Sequence, residues 1–166
     1  MNSVFLRWAA ILIVVASLSS AIAAQKAQKH RAEFETFLSK LDDAQEQFHN
    51  GDPAALEALW SHEGDATLAG GTGGAIEKGW TNVKKRLDTV TTHYSGGKQA
   101  NERVDINVSG DFASVIQYEH IVFQVPGQTT KSKRDYRITM IFRYEKNGWR
   151  LVHRQADTQT EMITPK

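Results

Sequence analysis

The chain has 166 residues, enough for one domain and too few for two. Hydrophobic residues make up 40% and charged residues 23%, the balance of a chain that buries a core. Twenty Lys and Arg against 19 Asp and Glu leave a net charge of only +1, which argues against nucleic acid as a partner, and the lack of cysteine excludes disulfides.

The amino-terminal residues read as an address. Arg7 precedes an apolar run from Trp8 to Leu18, and Ala21-Ile22-Ala23 fits an A-x-A cleavage site. Residues 1–23 are therefore expected to be a signal peptide, with the mature protein periplasmic or secreted. Retention as an uncleaved anchor is the alternative, and would be the protein's one membrane contact. The run from Trp8 to Ala24 is short for a span of about 20 residues. Loss of Arg7 takes Lys plus Arg from 20 to 19, equal to the 19 acids, so the mature chain is formally neutral.

After a linker at 24–30, residues 31–158 form the expected domain, followed by a tail at 159–166. Phe34, Phe37, Leu38, Leu41, Gln45 and Phe48 recur at spacings of three and four, which predicts an amphipathic helix over 31–50. Asn50-Gly51 ends it, and Asp52-Pro53 starts a second helix carrying Leu56, Leu59 and Trp60. A short strand at 66–69 and the loop Gly70-Gly71-Thr72-Gly73-Gly74 lead to a third helix over 79–92, with Trp80, Val83, Leu87 and Val90 on one side. Four strands follow, at 99–108, 112–125, 134–146 and 149–158, joined by short turns that include Asn147-Gly148. Helices first and an antiparallel meander afterwards predict an α+β fold with a pocket between the layers.

Alternation assigns the faces of the strands. Tyr136, Ile138, Met140, Phe142 and Tyr144 form the apolar, inner set of the third long strand. In the second, Ile116, Tyr118, His120 and Val122 are the less charged set and are expected inside. In the last, Trp149, Leu151, His153 and Gln155 are expected inside, unless a bulge flips the residues beyond it. The cone is then lined by Tyr118, Met140, Trp80 and Trp60, with His120 and His153 as candidate acid–base groups. No carboxylate partner for either histidine is evident from spacing.

Phe48-His49-Asn50-Gly51-Asp52-Pro53-Ala54-Ala55-Leu56, Lys78-Gly79-Trp80, Arg137-Ile138-Thr139 and Gly148-Trp149-Arg150-Leu151-Val152-His153-Arg154 together resemble the NTF2-like, or SnoaL-like, superfamily over residues 31–158. The resemblance implies a cone-shaped α+β fold, three helices on a curved, mainly antiparallel sheet, commonly dimeric through the outer sheet face. It does not imply one function, because this fold hosts isomerases, dehydratases, ligand binders and assembly domains. The sequence departs from the ketosteroid isomerases of the group. Their general-base Asp matches Gly70, their oxyanion Tyr matches Ala44 and their second acid matches Met140, so that chemistry is rejected. The frequent second His at the end of the last strand is Gln155.

Other motifs are weaker. His62, Glu63 and Asp65 lack metal-ligand spacing, and the glycine loop lacks the Gly-Lys-Ser/Thr of a phosphate cradle, so neither a metal nor a cofactor is expected. Lys84-Lys85-Arg86 and Lys131-Ser132-Lys133-Arg134 read as solvated surface. Arg137, Arg143 and Arg154 bind a carboxylate ligand if the facing is reversed; otherwise they pair with Glu119 or Glu145 outside. Asn107-Val108-Ser109 matches a glycosylation sequon. The leading reading is an exported domain that binds a small, largely apolar molecule, with a lyase or isomerase activity as its catalytic form. The alternative is a non-catalytic homodimer or assembly module.

Overall fold

The computed structural model describes residues 3–158, with side chains from Ala24 onward. Helix α1 (Ser3–Phe48) is continuous through the expected cleavage site at 21–24 and the expected linker at 24–30. Among the described residues no helix is long and apolar enough to cross a membrane. The expected tail at 159–166 lies outside the described residues. The predicted stripe on α1 is the buried one: Phe34, Phe37, Leu38, Leu41, Ala44, Gln45 and Phe48 all face the core.

Helix α1 ends as its sequence dictates. Gly51 takes φ 90°, the left-handed conformation that glycine enters without penalty. Asn50 bridges the helix end to the sheet. Its Nδ2 donates to the Gly97 carbonyl at 3.0 Å, and its Oδ1 accepts from the Gly97 amide at 3.0 Å. Gly97 must be glycine, since a Cβ there would strike the His49 backbone. Asp52 Oδ1 accepts from the Ala54 amide at 3.0 Å and so caps α2 (Ala54–Leu59).

Strand β1 (Thr67–Ala69) is followed by the glycine loop, β2 (Glu77–Lys78) and α3 (Trp80–Thr91). Strand β2 was not foreseen; two residues are too short to show an alternating pattern. Strands β3 (Ser95–Ser109), β4 (Phe112–Gln124), β5 (Lys131–Glu145) and β6 (Gly148–Asp157) form the meander. The sheet order is β2-β1-β6-β5-β4-β3. All neighbours are antiparallel except β1 and β6, which run parallel with Thr67 opposite His153. The fold is thus α+β with a mixed six-stranded sheet. Register shifts in β3 and between β5 and β6 add local twist, which helps curl the sheet around α1.

Two face assignments are corrected. On β5 the inner set holds, with Tyr136, Ile138, Met140 and Phe142 buried. On β4 the inner set is Val115, Gln117, Glu119, Ile121 and Phe123, while Ile116 and His120 are exposed. Choosing the less charged set fails there because a half-buried cation on the inner face neutralises Glu119. That cation is Arg154, and a bulge brings it inward. On β6, Leu151 lies opposite Phe142 and His153 opposite Ile141, so Val152 is the extra residue. Trp149 and Leu151 face inward before the bulge; Arg154 and Ala156 join the inner face after it, and His153 turns outward.

Candidate functional site

A cavity of about 70 Å³ lies between the helices and the concave face of the sheet. Helix α1 contributes Gln45 and Phe48, and His49 follows directly after it. Leu56 and Trp60 come from α2 and its end, and Arg86, Leu87 and Val90 from α3. Leu68, Gly70, Gly71 and Thr72 run along one side. Tyr94, Ile121, Tyr136 and Arg154 complete the wall. Exposed Thr72 and half-buried Gly70, Gly71, Arg86 and Val90 mark its mouth.

Local structure explains these positions. Trp60 caps α2, and the chain then runs beside β6 through the Ser61 amide, which donates to the Leu151 carbonyl at 2.8 Å. That turns Trp60 inward, where it is 1% exposed. Gly71 lies flat on the Tyr136 ring, and a Cβ there would strike the ring. Arg86 pins the loop from the other side, donating through Nη2 to Thr72 Oγ1 at 3.1 Å and to the Gly73 carbonyl at 2.7 Å.

Behind the wall sits a buried polar network. Glu119 is fully buried, and its Oε2 accepts from Arg154 Nη2 at 2.6 Å. Its Oε1 accepts from Gln117 Nε2 at 2.9 Å and Gln45 Nε2 at 3.1 Å. Gln45 Oε1 in turn accepts from Gln99 Nε2 at 3.0 Å. Both Glu119 oxygens are thereby engaged in the charge-assisted and amide bonds that make a buried carboxylate tolerable. This carboxylate is a structural anchor for Arg154, not a free base.

His49 is the titratable group with the most altered environment in the cavity wall. Burial pushes its pKa down to about 4, with Arg154 adding to the effect and Glu119 opposing it. It is neutral at pH 7, and its Nδ1 has no hydrogen-bond partner. So weak a base suits hydrogen bonding better than proton abstraction near neutral pH. Tyr94 packs edge-on against His49 with ring centres 4.9 Å apart. Burial, and then the neighbouring Tyr136, pushes the Tyr94 phenol up to about 12, so it stays a hydrogen-bond donor.

Of the residues expected to line the pocket, Trp60 does so. Met140 is fully buried in the core and is not part of the cavity wall. Trp80 stands at the start of α3 and stacks on His62, ring centres 4.1 Å apart, away from the cavity wall. Tyr118 lies in a shallow groove on the outer sheet face with Ile116, Arg137 and Thr139. His120 is exposed on that face, its Nδ1 2.6 Å from Asp135 Oδ1. His153 also turns to the outer side, its Nδ1 2.8 Å from Thr67 Oγ1, and partial burial lowers its pKa. The expected convergence of His120, His153 and Tyr118 inside the cone therefore does not occur. Arg143 pairs with Glu145 at 2.8 Å and with Asp65 at 2.6 Å.

Gln45, His49, Arg86, Tyr94, Tyr136 and Arg154 are the polar lining that pocket reasoning from sequence missed or placed elsewhere. Tyr136 was legible from alternation, and Arg154 only through the bulge. Among the described residues, no group of three or more His, Asp or Glu side chains is disposed to hold a metal ion.

The family model described as a SnoaL-like domain matches residues 38–156. No curated protein sequence matches the chain. Among solved structures, a candidate dehydratase of the NTF2-like family from Streptomyces avermitilis superposes with a TM-score of 0.68 at 18% identity, covering 81% of this chain and 99% of that one. An NTF2-like protein with a cystatin-like fold from Novosphingobium aromaticivorans gives 0.64 at 22%, over 88% and 92%. A candidate calcium/calmodulin-dependent protein kinase type II association domain from Thiobacillus denitrificans gives 0.61 at 17%, over 75% and 93%. At these identities the likeness is one of fold. The family match spans most of the chain and agrees with the helices, curved sheet and cavity, and the protein belongs to the SnoaL-like domain family.

Proposed function

We propose that the protein is an exported domain that binds a small, largely apolar molecule in the cavity between α1–α3 and the sheet. The observation that carries this reading is the cavity wall. Leu56, Trp60, Leu68, Leu87 and Ile121 offer an apolar bed, and Gln45, His49, Tyr94 and Tyr136 offer hydrogen bonds at fixed places. Few polar groups among many apolar ones is the usual composition of a small-molecule site. The fold is shared with a candidate dehydratase, which is compatible with such a site. Binding is favoured over catalysis because His49 is too weak a base and Glu119 is fully engaged. Export rests on the Trp8–Leu18 run and Ala21-Ile22-Ala23; an unprocessed amino terminus on protein recovered from expressing cells would count against it.

The test is to plug the mouth. Val90→Trp adds bulk at a half-buried wall position. Wild-type protein, screened by NMR against small apolar molecules, should show resonance shifts clustered on the cavity residues. The plugged variant should keep its circular dichroism and weaken binding by about tenfold or more. Equal binding by the two proteins refutes the assignment.

A specific observation supports the second reading, a non-catalytic homodimer or assembly module. Val104, Ile116 and Ile141 are 59%, 44% and 39% exposed on the sheet side away from the helices. Apolar side chains exposed on a sheet face are ones that a second copy can cover. Sedimentation equilibrium returning a monomer at tens of micromolar excludes it.

A further inference from the structure

We infer that the ligand of the cavity is a short-chain monocarboxylate whose anionic end pairs with Arg86 at the mouth. This rests on the ligand-binding reading above and names the chemistry that the wall selects. The cavity wall holds two arginines and no Asp or Glu. The charge of Arg154 is already matched by Glu119 at 2.6 Å. Arg86 donates to two neutral oxygens, Thr72 Oγ1 and the Gly73 carbonyl. Two acids of the surrounding helices, Glu57 and Asp88, are occupied by Lys84 at 2.9 and 3.0 Å. Among the described residues no ion pair involves Arg86, so the cavity wall holds one cation without a carboxylate partner.

The glycine loop is shaped around that charge. A Cβ on Gly70 would stand 3.3 Å from Arg86 Nη2, and one on Gly74 3.2 Å from Nη1. Side chains there would crowd the guanidinium, and their absence lets the backbone wrap it. A half-buried guanidinium beside an apolar hollow attracts an anion more strongly than it would in bulk water. Its planar fork also suits a carboxylate. One free cation sets one anionic group, since a dianion would leave a charge unpaired against Leu68, Leu87 and Val90.

Volume sets the length. The cavity of about 70 Å³ is roughly half of the ~150 Å³ that accommodates benzene in an engineered protein cavity. The body that fits is therefore a few aliphatic carbons and not an aromatic ring.

The test compares 3-methylbutanoate with 3-methylbutanamide, which match in size and shape and differ in charge. Each is titrated into the protein at neutral pH, followed by the loop amides at 70–74 and the Trp60 indole resonance. The acid should bind about tenfold more tightly than the amide. Arg86→Gln should bring the acid to the level of the amide, while Arg86→Lys should keep part of the preference. Should Arg86→Gln fail to fold, the wild-type comparison decides alone. Equal affinity of acid and amide for the wild type overturns the carboxylate inference and leaves the ligand-binding reading intact. If neither compound moves the cavity resonances, the carboxylate inference is overturned, and the ligand-binding reading is decided separately by the Val90→Trp comparison.

Discussion

The pair of fully buried Glu119 and half-buried Arg154 should be the costliest polar contact in the domain to break from one side. Arg154→Met removes the cation and leaves Glu119, fully buried, with only the Gln45 and Gln117 amides as donors. Methionine fills most of the space of the arginine stem, so the loss is electrostatic more than steric. An uncompensated buried carboxylate costs about 3–5 kcal/mol, a large share of the stability of a domain this size. Glu119→Gln in the Arg154→Met background removes the stranded charge and keeps the amide contacts. The double variant should therefore recover about 1–3 kcal/mol over Arg154→Met alone. Urea denaturation at pH 7, with the slope compared between variants, reads both quantities. A cost below about 1 kcal/mol for Arg154→Met, or strictly additive effects in the cycle, refutes the view that this pair sets the inner face of β4 and β6.

His49 gives a pH signature. Its unfolded-state pKa is near 6.5 and its folded value is about 4. Between those values the unfolded chain binds a proton that the native state refuses, so stability falls as pH drops through this window and is regained as pH rises. The full span is worth about 3 kcal/mol, and His49→Gln should remove that slope from melting temperature plotted against pH; an unchanged slope counts against a buried neutral imidazole. Gly97→Ala drives a methyl group into the backbone at His49, which cannot rotate away, and should cost about 1–3 kcal/mol in urea denaturation. A change within about 0.5 kcal/mol, the range of an ordinary surface substitution, would mean that α1 and β3 are not packed this closely.

Much of the fold was legible because periodicity and punctuation are local. The stripe from Phe34 to Phe48, the Asn50-Gly51 stop and the Asn147-Gly148 hairpin each follow from a few neighbouring residues. The apolar face of β5 was equally plain, since Tyr136, Ile138, Met140 and Phe142 alternate with polar residues. The lining of the cavity was much less so. His120 and Glu119 are adjacent on β4, and charge alone favours His120 as the inner residue. Glu119 goes inside because Arg154 meets it there, 35 positions away in the chain. Arg86 sits in a basic run that reads as solvated surface, and only the glycine loop folding over it makes it part of a site.

The residue pattern by itself determined the order of the three helices and of every strand but β2, the carboxyl end of α1 and the family resemblance. Each depends on hydrophobic spacing and turn chemistry over short stretches. The tertiary structure alone decided which faces of β4 and β6 are interior, and hence which polar groups meet the cavity. A single extra residue at Val152 reverses the alternation beyond it, and a buried charge is admitted only where a distant partner arrives to neutralise it.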